Sequence, residues 1–152
     1  MTVSEYLDQH KLLTVRIEKD QESLSFLCPT VADPHAPHPS TDHVQISPAG
    51  DAPFVANLEY IAGLKERIES EKAVLRRLTD EIQQMFSVLD PYAYMLMSQH
   101  YLFHIKWDDI IGTSRGCRAS VFNWRNQALS LCTLPDHPIN IFQELPWLKK
   151  AS

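Results

Sequence analysis

Residues 61–89 read IAGLKERIESEKAVLRRLTDEIQQMFSVL, and the spacing of their apolar side chains decides the fold. Ile61, Leu64, Ile68, Leu75, Leu78, Ile82, Met85 and Leu89 fall at alternating steps of three and four, with Glu71 the polar member of the series. That period draws a narrow apolar stripe along one side of a helix. Carried back to about Phe54, the helix is roughly 50 Å long. A stripe of this length needs a cover, so it is expected to pack on another helix of the chain, on a second copy, or on both. The seam residues therefore point to a homo-oligomer.

Towards the N-terminus the periodicity stops. Residues 28–53 hold Pro29, Pro34, Pro37, Pro39, Pro48 and Pro53, six of the ten prolines, so no regular element is expected in this Pro/His-rich linker. His35, His38, His43, Asp33 and Asp42 carry ligand chemistry, but no HExxH or CxxC spacing joins them and no metal site is expected. Before the linker, Tyr6, Leu13, Ile17, Leu24 and Leu27 follow a three-four spacing that passes through His10 and Asp20. A second amphipathic helix over residues 3–27 follows. Residues 1–89 thus read as a long antiparallel, coiled-coil-like helical hairpin in an all-α fold.

Towards the C-terminus, Asp90-Pro91 restarts the chain, since Asp caps a helix and Pro suits its first position. A helix from Pro91 to about Phe103 is predicted, with Ala93, Leu96, Met97 and Tyr101 inward. A short helix from Trp107 to Gly112, a turn with Gly112 and Gly116, and a helix from Arg118 to Cys132 follow. Residues 90–134 are therefore expected to form a trihelical helix-turn-helix domain. The tail, 135–152, is interrupted by Pro135, Pro138 and Pro146. Its stretch INIFQELPWL is apolar enough to strap over the domain's core, or to present Trp147 to a partner.

On a helical wheel, Val121, Trp124, Ala128 and Leu131 share the inward side of the last helix. Ala119, Asn123 and Asn126 centre the opposite face, with Ser120, Phe122 and Gln127 towards its edges. Asparagine can pair with adenine through both amide atoms, and serine bonds donor or acceptor edges. The base-contacting candidates are therefore Arg118, Ala119, Ser120, Asn123 and Asn126. Lys106, Arg115 and Arg125 are placed to hold backbone phosphates. The same polar face is also what a solvated structural helix shows.

Charge is compatible with this reading although the chain carries a formal net charge of -5. Residues 1–90 hold 8 Lys/Arg against 15 Asp/Glu, and residues 91–152 hold 6 against 4. The acidic excess lies in the helical extension, leaving a mildly basic C-terminal part that can meet phosphates.

Other chemistry finds little purchase. The polar start MTVSEYLDQHKLL and the lack of an apolar run near ~20 residues point to a soluble, cytoplasmic protein without a membrane partner. Cys28, Cys117 and Cys132 have no redox or metal spacing. No nucleophile elbow or glycine-rich phosphate loop is present, so neither enzymatic activity nor a cofactor is expected. His100 and His104, four apart, could share a face as a pH-sensitive pair, or sit as ordinary rim residues.

The run from Leu89 to Leu131 resembles the C-terminal part of small Gram-positive phage and prophage proteins related to the ArpU and RinA late-transcription regulators, whose helix-turn-helix is similar to region four of bacterial sigma factors. Tyr101-Leu102, Trp107-Asp108-Asp109-Ile110, Val121-Phe122 and Ala128-Leu129 carry the resemblance. The chain departs from the family at Lys106 and Cys117, where helix-capping hydroxyls are usual, and at Ile111, His100 and the turn GTSRG. The resemblance implies a DNA-binding transcription regulator, with RNA polymerase as a further partner. The other expectation, from the residues themselves, is a helical protein-protein scaffold whose helix-turn-helix is structural and binds no DNA.

Overall fold

The computed structural model describes residues 1–28 and 51–148. The linker reading, with its histidines, lies almost wholly outside them. The described residues are helical, without strands: α1 Val3–Leu27, α2 Asp51–Phe86, α3 Pro91–Tyr101, α4 Trp107–Thr113, α5 Arg118–Leu131 and α6 Ile141–Glu144. No helix among them is long and apolar enough to cross a membrane.

The helix ends have local causes. Thr2 and Glu5 satisfy each other's backbone N–H groups through their side chains, a reciprocal cap that starts α1. The second helix begins at Asp51 rather than near Phe54, with Pro53 in its first turn, where a missing N–H costs no intrahelical bond. It stops at Phe86, before Leu89. Asp90 caps α3 by accepting from the Ala93 N–H at 2.8 Å, and Pro91 takes the first position. That helix ends at Tyr101, two residues before Phe103. The N–H groups of Leu102 and Phe103 both donate to the Ser98 carbonyl, and His104 then turns with φ 59°. A non-glycine residue enters this left-handed region only where its surroundings hold it.

Contacts divide the chain into two compact units, Met1–Val15 with Ala73–Ser152, and Arg16–Lys72. These boundaries differ from a division at Asp90, because α1 and α2 each lend a segment to both units. Among the described residues of the smaller unit, the buried apolar side chains are Ile17, Leu64 and Ile68, accompanied by Asp20 and Glu71. Arg16 holds Asp20 at 3.1 Å.

Among the described residues, the larger unit carries most of the apolar burial. Tyr6, Leu7 and Leu13 of α1 and Val74, Leu78, Ile82, Met85 and Phe86 of α2 are all buried, as are Leu89, Leu96, Met97, Ile110, Val121, Ile141 and Leu145. In this unit α1 packs on α2, with Tyr6 donating to Glu81 and His10 bonded to Thr79. Ile61 and Leu75 of the seam are half-buried, and Val74 takes a buried place beside the series.

Hydrogen bonds tie the described residues of the tail to α1 and α2. Gln9, 3% exposed, donates to the Ile139 carbonyl at 2.9 Å and accepts from the Ile141 N–H at 3.0 Å. The Ile139 N–H donates to Glu81, and Arg77 pairs with Glu144 at 3.3 Å. Two buried isoleucines and Leu145 complete the attachment. Proline breaks at 135 and 138 let the backbone leave α5 and offer its polar groups to Gln9.

Candidate nucleic-acid interface

Three short helices build the candidate surface. The third helix packs against both α4 and α5, and the buried side chains Leu96, Met97, Ile110, Val121 and Ala128 hold them. Between α4 and α5 lie only residues 114–117. Ser114 folds this connection by donating its hydroxyl towards the Ile111 and Gly116 carbonyls, at 3.2 and 3.0 Å. A Cβ on Gly116 would sit 2.7 Å from the Trp124 ring, so the backbone approaches the indole as only glycine permits.

Trp124 is half-buried and meets Tyr92 edge-on, ring centroids 5.2 Å apart. Aromatic pairing also fixes α4. Trp107 stacks on His100 at 4.3 Å and lies 6.1 Å from Phe122. His100 donates through Nδ1 to the Ile105 carbonyl at 2.8 Å, which fixes its proton on that nitrogen. Burial lowers its pKa, against the opposing pull of that hydrogen bond and of Asp8.

The two histidines of the rim therefore do not act as one pair. His104 lies beyond the helix end and turns to His10 of α1, with 2.8 Å between His104 Nε2 and His10 Nδ1. Proton positions follow from the chain of partners. Thr79 donates its hydroxyl to the Leu75 carbonyl, so its oxygen accepts from His10 Nε2–H. His10 Nδ1 is then the acceptor, and His104 Nε2–H the donor. Burial, with His104 beside it, pushes His10 down to about 4.

On α5, Val121 and Ala128 face the core and Ala119, Asn123, Asn126 and Gln127 are exposed. Leu131, assigned to the inward side, is instead 61% exposed. The helix ends at this residue, and Cys132, 5% exposed, turns inward in its place. Burial raises that thiol's pKa. Ser120 is half-buried, its hydroxyl 3.4 Å from the Cys117 sulfur. That contact is the main cause lowering the pKa of the exposed Cys117. Neither Lys106 nor Cys117 makes a side-chain cap bond to its helix.

Three of the four candidate phosphate- or base-contacting cations, Arg115, Arg118 and Arg125, are engaged with side chains of the protein. Arg118 bonds Asp108 of α4 at 2.5 Å. Arg115 lies over the Tyr92 ring at 4.5 Å. Arg125 lies over Phe122 at 4.7 Å and over Trp107 at 5.8 Å, and donates twice to the Asn126 side-chain carbonyl. Lys106 is exposed. Asp108 as the partner of Arg118 was not legible in the sequence, because ten residues and a turn separate them. The Asn126–Arg125 bond was equally hidden, being a choice of side-chain conformer.

No family model matches the chain, and neither a curated protein nor a solved structure does. Its function is therefore argued from its own residues.

Proposed function

We propose that the protein is a phage- or prophage-type transcription regulator that binds duplex DNA through a sigma-like helix-turn-helix formed by α3, α4 and α5. The observation that carries this reading is the division of α5. It buries Val121 and Ala128 and exposes Ala119, Asn123 and Asn126, in a region where Lys106, Arg115, Arg118 and Arg125 outnumber Asp108 and Asp109. Asn123 supplies donor and acceptor to a base edge, and the cations hold phosphates on either side. The first two helices serve as an antiparallel hairpin whose seam pairs copies of the chain, and RNA polymerase is a further partner.

The test is direct. Binding to the duplex upstream of the protein's own operon is expected at ~50 mM salt, weakening steeply as salt rises because condensed counterions are released on binding. The double substitution Arg118→Ala with Asn123→Ala should weaken it by about tenfold or more, since a good base contact contributes ~1–3 kcal/mol. No binding by the unaltered protein overturns the proposal.

A second reading has its own support. Arg118 is held by Asp108 and two further arginines lie on aromatic rings, which is how cations serve a structural role. In that case the chain is a helical protein-protein scaffold and the double substitution leaves every DNA measurement at background.

A further inference from the structure

We infer that Asp108 is a built-in substitute for a DNA phosphate: its carboxylate occupies Arg118, and duplex DNA must displace it before that arginine can bind. This rests on the DNA-binding reading and adds a regulating residue to it.

Three observations support it. Arg118 Nη2 donates to Asp108 Oδ1, a charge-assisted contact between a guanidinium and a carboxylate. Both side chains are largely in water, 63% and 72% exposed, so the contact is open to an incoming competitor. The partners come from different helices, Asp108 from the first turn of α4 and Arg118 from the first residue of α5, so the acid lies against the end of the helix from which base readout is proposed.

The chemistry of the exchange is simple. A carboxylate and a phosphate diester offer the same thing to a guanidinium, an anionic oxygen in the plane of its N–H donors. Exposed ion pairs are weak and screened by salt. Exchange therefore modulates affinity without abolishing it, and the acid discriminates against loosely held DNA more than against a full site where neighbouring contacts add to the displacement.

Asp109 provides the internal control. It is the neighbour of Asp108, carries the same charge and is exposed, yet makes no ion pair among the described residues. Binding of a mixed-sequence 30-base-pair duplex at ~50 mM salt should tighten about fivefold in Asp108→Asn and by less than about twofold in Asp109→Asn, the latter being the general effect of removing one negative charge. In an Arg118→Ala background the Asp108→Asn effect should shrink to that of Asp109→Asn. Equal effects of the two substitutions, with binding intact, overturn the masking role and leave the DNA reading standing. Failure of every variant to bind the duplex overturns both.

Discussion

At the start of α1, Tyr6, Gln9 and His10 are buried and each is hydrogen-bonded to a group far along the chain, whereas along α5 Arg118, Asn123 and Asn126 stand in water. Both regions belong to the same compact unit and both are polar. The difference is what surrounds the polar atoms. A buried donor or acceptor that loses its partner costs ~1–3 kcal/mol, because no water replaces it. An exposed one exchanges its partner for solvent at little cost. The first arrangement therefore fixes the structure, and the second lets side chains exchange one partner for another.

Breaking the buried side of this comparison should have the largest effect. Gln9→Ala removes the side chain that binds Ile139 and Ile141 and strands their backbone groups, and should destabilise the protein by about 3 kcal/mol. Urea denaturation would measure the loss, and limited proteolysis should cut first within residues 133–148. An unchanged midpoint would mean that the apolar contacts of Ile141 and Leu145 alone hold the tail.

Acid should act next, through His10. Its folded pKa, pushed down to about 4, lies below the ~6.5 of an unfolded imidazole. As pH falls, the unfolded chain takes up the proton first, so the contribution of neutral His10 is fully present above pH 6.5 and is lost between 6.5 and 4. With solvent screening allowed for, the loss is on the order of 2 kcal/mol. Unfolding midpoints at pH 7 and 4.5 should differ less in His10→Gln than in the unaltered chain, and identical differences would remove His10 as the source.

The smallest effect belongs to the exposed face. Leu131→Ser should shift stability by less than about 0.5 kcal/mol, since its side chain remains in water when folded. A cost near 2 kcal/mol in thermal unfolding would restore this leucine to the core.

How much of this was readable beforehand depended on the range of the interaction. The apolar stripes of α1 and α2, and the Asp90-Pro91 start of α3, are periodic or local signals, and the corresponding helices lie within a few residues of their expected positions. Leu131 failed because a helical wheel takes no account of where a helix stops. Gln9 gave no signal, and the partners of His104 and Asp108 gave none either. Each acts on a residue distant in sequence, and a lone glutamine, histidine or aspartate looks the same whether buried and bonded or free in water. The helical wheel put Ala119, Asn123 and Asn126 opposite the buried Val121 and Ala128, and they are exposed, but the partners that restrain Arg118 and Asn126 depend on three-dimensional placement.

The bond between Gln9 and residues 139–141 also sets a timetable. During synthesis the first helix emerges 130 residues before the backbone groups that satisfy its buried amide. Until those residues leave the ribosome, Gln9 can keep its bond to the Tyr6 carbonyl within α1 but lacks the two partners that the tail brings. Closure of the native unit is thus tied to the arrival of the tail, and a chain halted before Ile139 should remain unfinished at its beginning as well as at its end.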